Sequence, residues 1–90
     1  MLLAVDIGNT NITVGTFEDN LLGSTWRIST DTSRTSDEYG LQLKHLLENE
    51  SKIIGHVTDV AICSVVPPLT PTFESLCQRY FNVSPLIIDT

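Results

Sequence analysis

The stretch Asp6-Ile7-Gly8-Asn9-Thr10-Asn11-Ile12-Thr13 sets a carboxylate at the end of an apolar run and follows it with small, hydrogen-bonding residues. Such residues suit a phosphate. Gly8 lets the backbone approach an anion closely and adopt positive φ, so that successive N–H groups converge on it. Asn9, Thr10, Asn11 and Thr13 add neutral donors. Asp6 repels phosphate on its own, so its presence implies a Mg²⁺, or the water bound to one, between the two. The same residues would also make a plain hairpin turn, because Asn and Gly favour turns for local reasons. Position favours a site, since a carboxylate closing the central strand of a mixed α/β sheet stands where such folds place ligands.

The rest of the chain offers fewer chemical handles. Arg27 precedes, and Arg34 lies within, a hydroxyl-rich segment, Ser29 to Ser36 (STDTSRTS), and both could reach an anion, although arginines beside loops are commonly solvated or paired. Asp37 and Glu38 sit where a helix begins, and acids there favour the positive end of the helix dipole, so capping accounts for them. His45 and His56 have no ligand partner at a recognisable spacing and read as surface histidines. Cys63 and Cys77 lack a CxxC or a clustered histidine and read as two buried free thiols. Trp26 reads as core or interface packing.

Positioning Asp6 to Thr13 requires a sheet. Leu2 to Ile7 is a short branched apolar run that predicts a buried strand, and Gly8-Asn9-Thr10 punctuates it. Asn11 to Phe17 and Leu21 to Ser29 alternate as two further strands around a break at Glu18-Asp19-Asn20, each antiparallel to the one before. Thr35 and Glu38 have capping-box spacing, and Tyr39, Leu43, Leu46 and Leu47 form one helical stripe that Gly55 is expected to stop. Val57 to Val66 is nearly all apolar, as a strand covered on both faces would be, and Pro67-Pro68 ends it. Thr70 is the expected N-cap of a second helix with Pro71 at its first helical position, Phe73, Leu76, Cys77 and Tyr80 its stripe and Asn82 its far cap. Pro85 to Asp89 predicts a last strand. The order is β-β-β-α-β-α-β, a single α/β domain over residues 1–90 with a mixed sheet and helices on its faces. It is the element order of the ribonuclease-H-like fold, a unit that sugar kinases, actin and Hsp70 chaperones carry twice.

Composition narrows the partners. Five Lys and Arg stand against eleven Asp and Glu, a formal net charge of −6, the wrong balance for a protein that grips phosphate backbones or anionic membranes through cations. Neither nucleic acid nor membrane is expected. Only Met1 to Val5 precede the first charge, too few for a signal peptide and far below the ~20 residues of a membrane span, so a cytoplasmic location is expected.

Three separated segments also carry a family resemblance: Asp6 to Asn11 (DIGNTN), Trp26 to Gly40 (WRISTDTSRTSDEYG) and Ile62 to Pro67 (ICSVVP). In this order, across nearly all ninety residues, they resemble type III pantothenate kinase, the relatives of Bvg accessory factor. The resemblance implies ATP-dependent phosphorylation of pantothenate, the first step towards coenzyme A, by a cytoplasmic homodimer using Mg²⁺ and a monovalent cation, K⁺ or NH₄⁺. It also implies that Asp6, Gly8, Asn9, Thr10, Asn11, Ile12 and Thr13 hold the ATP phosphates, with Asp6 acting near the metal.

The family's other motifs do not occur in these residues. A Gly-x-Asp-Arg segment with the catalytic base, a second Asp-x-Gly-Thr phosphate loop and the monovalent-cation contacts are expected beyond Thr90, in a second lobe. This chain therefore reads as the N-terminal, phosphate-binding lobe, inactive by itself. Two other readings remain open: a degenerate kinase half kept as a regulatory or partner-binding domain, and a ribonuclease-H-like nuclease using Asp6 and Glu38, which would need several carboxylates around two metals.

Overall fold

Alternation along the strands decides which side of the sheet is buried. In β1 (Leu2–Ile7) the odd positions Leu3, Val5 and Ile7 are buried while Asp6 is exposed, because successive side chains point to opposite faces. In the computed structural model, which describes residues 1–50 and 56–88, β1 is the centre of a five-stranded sheet ordered β3-β2-β1-β4-β5. Strands β2 (Asn11–Glu18) and β3 (Leu21–Ser29) run antiparallel in a meander, and β4 (Asp59–Ser64) and β5 (Leu86–Ile88) are parallel to β1. The first hairpin turns through Asp19 and Asn20, both left-handed at φ 50 and 67, the pair of positive values a two-residue type I′ turn demands.

Gly15 faces Thr25 and Phe17 faces Leu22, so Gly23 and Ser24 together oppose Thr16 in a β-bulge. The Ser24 N–H donates to the Thr16 hydroxyl at 3.0 Å, which satisfies a buried polar side chain. A Cβ on Gly23 would stand 2.7 Å from that same oxygen, so the bulge admits only glycine there without a shift.

Helix α1 (Ser36–Asn49) starts on the expected capping box: Glu38 N donates to Thr35 Oγ1 at 3.2 Å and Thr35 N donates back to Glu38 Oε1 at 2.9 Å. The helix ends at Asn49, short of Gly55, which lies outside the described residues. Helix α2 (Thr70–Leu76) departs from expectation at its start. Pro67–Leu69 forms a 3-10 turn that runs straight into it, so Thr70 is already helical, its side chain caps nothing, and Leu69 is the N-cap. A wider turn over Cys77–Phe81 extends α2, and Asn82, left-handed at φ 55, ends it as expected.

Both helices pack on one face. Tyr39, Leu43 and Leu47 of α1 and Phe73 and Leu76 of α2 join Leu3, Val5, Ile7, Ile12, Val14, Val60 and Ile62 in a single core. Trp26 packs against its edge. The helices meet where Gly40 leaves room for Tyr80, whose ring would lie 2.4 Å from an added Cβ. Tyr80 donates to Asp37 Oδ1 at 2.9 Å, a bond that holds its phenol above the ordinary range, and Arg79 reaches the same carboxylate at 3.1 Å. The expectation of helices on both faces, and of a fourth strand covered on both, is overturned among the described residues: Val60 and Ile62 are buried, but Ala61 and Cys63 on the other side are only half-buried. The apolar run from Val57 to Val66 extends past the strand because Val57 and Val66 are buried by packing at its two ends, outside the ladder.

Candidate functional site

Register assembles the site. Asp6 pairs with Thr13 on β2 and with Cys63 on β4, and Thr13 pairs with Arg27 on β3. One row of side chains, Cys63, Asp6, Thr13 and Arg27, thus crosses four strands on the face that carries no helix. The next row is small, Ala61, Ala4, Gly15 and Thr25, and its lack of bulk opens a concavity of about 380 Å³ in which Asp6 and Thr13 form part of the wall. Phe17, Leu22 and Ile88 rim it.

Between β1 and β2 the chain turns through Gly8, Asn9 and Thr10. Gly8 N donates to Asn11 O at 3.0 Å and closes the turn from inside. No glycine described here has positive φ, so the expected left-handed Gly8 is not found. What glycine gives instead is room, since a Cβ at Gly8 would stand 3.0 Å from Asn11 O, tight enough that the turn would have to give by a few tenths of an ångström. Asp6, Asn9, Thr10, Asn11 and Thr13 are exposed and share one end of the sheet. Ile12 is fully buried in the core, so among the expected phosphate contacts it has only its backbone to offer.

A residue absent from the sequence-based candidates braces this turn. Thr30 donates its hydroxyl to Gly8 O at 2.7 Å and its N–H to Thr10 O at 3.0 Å. Counting outward from the Asp19-Asn20 turn places Ser29 opposite Thr10; the bulge at Gly23-Ser24 adds one residue and brings Thr30 there. The signal that could have found it is therefore the bulge. The loop beyond Thr30 is held to α1 by Tyr39, whose buried hydroxyl donates to Asp31 O and accepts from Asp31 N, both at 2.9 Å. The Ser33 hydroxyl and amide both donate to the Asp31 carboxylate and hold its pKa below the ordinary value.

The arginines divide. Arg34 is committed within its own segment, donating to Gln42 Oε1 at 2.6 Å and lying 4.6 Å over the Tyr39 ring. Arg27 is exposed beside Thr13, with no ion pair among the described residues. His45 and His56 are exposed, as expected. Glu38 is occupied by its capping box on a helix across the sheet from Asp6, so the carboxylates a nuclease would need are not brought together. Ser64 and Ile7 do end side by side, and Val65 N donates to Ile7 O at 3.0 Å.

For a divalent ion the donor set is sparse. Among the described residues no group of three or more His, Cys, Asp or Glu could hold a metal. Asp6, a single exposed carboxylate with no side-chain partner among them, fits a Mg²⁺ whose other ligands are phosphates and waters and does not fit an all-protein cage.

The two thiols are not alike, contrary to the expectation that both are buried. Cys63 is half-buried on the open face, while Cys77 is buried in the core. Burial, and secondarily the Glu74 charge, push the Cys77 thiol from its ordinary 9.0 up to about 12. Iodoacetamide at pH 8 should therefore modify Cys63 in the native protein and spare Cys77 until the chain is unfolded; mass spectrometry of tryptic peptides reads the difference. Because the folded thiol keeps its proton longer than the unfolded one, its contribution to stability is complete below about pH 9 and is lost as pH rises towards 12.

A family model described as type III pantothenate kinase matches residues 2–90. The chain belongs to the type III pantothenate kinase family. Its relatives include type III pantothenate kinase 2 of Symbiobacterium thermophilum, 48% identical over 88 residues that cover 98% of this chain and 33% of that protein. The type III pantothenate kinase of Bacillus cytotoxicus is 41% identical over 88 residues, covering 98% and 34%. This chain thus spans about a third of the length of these family members. Among solved structures, a putative N-acetylglucosamine kinase from Porphyromonas gingivalis superposes with a TM-score of 0.69 at 13% identity, over 99% of this chain and 34% of that one. YeaZ from Pseudomonas aeruginosa gives 0.66 at 12%, over 98% and 43%. At such identities they establish the fold, the mixed-sheet lobe shared by sugar kinases and actin, as the element order of this pantothenate kinase family member predicted.

Proposed function

We propose that this chain is the ATP-phosphate-binding lobe of a pantothenate kinase, an enzyme that transfers the γ-phosphoryl group of ATP to pantothenate and yields ADP and 4′-phosphopantothenate. The observation that carries the reading is the placement of Asp6, Asn9, Thr10, Asn11 and Thr13, exposed together at one end of the uncovered sheet face, in a member of this family. The Gly8 to Thr13 backbone and its amide and hydroxyl side chains bind the phosphates and fix the γ-phosphorus in line for attack. Asp6 holds Mg²⁺ directly or through water, and the ion, when bound, neutralises charge that builds on the phosphate oxygens. The substrate hydroxyl forms the new P–O bond, the bond to the β-phosphate oxygen breaks, and the hydroxyl proton passes to a base in a second lobe outside these ninety residues. The full-length enzyme is a cytoplasmic homodimer that also requires K⁺ or NH₄⁺, bound by that second lobe.

Energetics argue that one lobe is insufficient. Three or four hydrogen bonds to charged oxygens at ~1.5–3 kcal/mol each supply about 5–10 kcal/mol. Association costs of about 4–15 kcal/mol consume most of it. The ninety residues alone are expected to bind ATP at millimolar strength or weaker and to phosphorylate nothing. The test is ADP release by the full-length protein with and without pantothenate, alongside calorimetry of ATP with the 90-residue chain. No pantothenate-dependent ADP from the full-length protein overturns the proposed reaction, and micromolar ATP binding by the lobe overturns its insufficiency.

A further inference from the structure

We infer that Thr30 is a positioning residue for the nucleotide phosphates, acting by orienting the Gly8–Asn11 turn; the inference rests on the phosphate-binding reading of that turn. A peptide unit is planar and trans, so its carbonyl and the following N–H point in opposite directions. Fixing the Gly8 carbonyl on the Thr30 hydroxyl, at 2.7 Å, therefore turns the Asn9 N–H away from β3. Fixing the Thr10 carbonyl on the Thr30 N–H, at 3.0 Å, does the same for the Asn11 N–H. Both carbonyls that would repel an anion are drawn to one side, and the two amides are presented on the other. The brace is itself anchored, because the adjacent Asp31 backbone is bonded in both directions by the buried Tyr39 hydroxyl of α1. The side chain and the backbone of Thr30 divide the work. The hydroxyl alone sets the Asn9 amide, and a substitution can remove it while the backbone bond to Thr10 stays.

The experiment compares wild type, Thr30→Val and Thr30→Ser in the full-length kinase. Valine has the shape of threonine without the donor, and serine keeps the donor. With one charge-relevant hydrogen bond misdirected, Thr30→Val should raise the MgATP dissociation constant and the KM for ATP about tenfold. It should leave the KM for pantothenate unchanged, and Thr30→Ser should restore both ATP constants towards wild type. Wild-type ATP affinity in Thr30→Val overturns the inference. So does a parallel rise in both KM values, or equal damage in the Ser variant, either of which assigns Thr30 a merely structural part. Wild type that binds MgATP yet leaves pantothenate untouched overturns the proposed reaction alone, and the MgATP constants of the three proteins still decide the role of Thr30. Wild type that binds no MgATP overturns both.

Discussion

Asp6→Asn is expected to lower the turnover of the full-length kinase by about a hundred- to thousand-fold while leaving its unfolding midpoint where it was. The two halves of this expectation come from different observations. Asp6 is exposed on the uncovered face of β1, and no side chain among the described residues pairs with it, so the fold draws nothing from its charge. Asparagine keeps its size and its place between Thr13 and Cys63. What vanishes is the negative charge proposed to hold the cation, and a metal's stabilisation of transferring phosphoryl oxygens is worth several kcal/mol, at about 1.4 kcal/mol per tenfold in rate. Steady-state ADP release at saturating ATP and pantothenate reads the effect. A variant running at the wild-type rate removes Asp6 from the machinery, and one that no longer melts cooperatively shows that its role is structural.

Phe73→Ala is expected to cost about 3–5 kcal/mol of stability, because a fully buried aromatic leaves both lost transfer energy and a cavity. Phe73 is 0% exposed and lies 5.0 Å, centroid to centroid, from Tyr39 at a 43° tilt. Domains of this kind have about 5–15 kcal/mol in all, so the variant approaches the unfolding threshold. The damage also travels, since the Tyr39 ring that loses its neighbour bears the hydroxyl anchoring Asp31 beside Thr30. Urea midpoints measure the first effect, and amide exchange at Asp31 the second. A loss below about 1 kcal/mol contradicts the packing described.

Much of the architecture was legible because short-range rules govern it. The branched apolar run Leu2 to Ile7 marked the first strand, the Thr35 and Glu38 spacing located the start of α1, and Asn82 ended the second helix. Where the sequence misled, longer-range geometry had decided. Thr70 resembled an N-cap, but Pro67-Pro68 had already tightened the chain into a turn that fed the helix from upstream. Cys63 and Ala61 sit in an apolar run, and no local rule says whether a second layer covers them. At the site, pairing across the first turn brings Asp6 and Thr13 into one row. Thr30 was not legible, because seven serines and threonines crowd Thr25 to Ser36 and only a bulge distinguishes the one that meets Gly8. At Gly8 the expected left-handed backbone is not found, and what a side chain would meet there is the crowding at Asn11 O.

The central place of β1 bears on how the protein is made. A ribosome delivers Leu2–Ile7 well before β4, one of its two neighbours, which is fifty-seven residues downstream in register, Leu2 against Asp59. At about 5–20 residues per second, several seconds of synthesis pass in which the nascent meander of three strands carries an unpaired inner edge that is apolar apart from a single carboxylate. Open apolar edges invite pairing with other chains, and charges discourage it. Asp6 is the only charge on that strand, so the residue proposed to hold the cation is also the one that discourages such pairing in the half-made sheet.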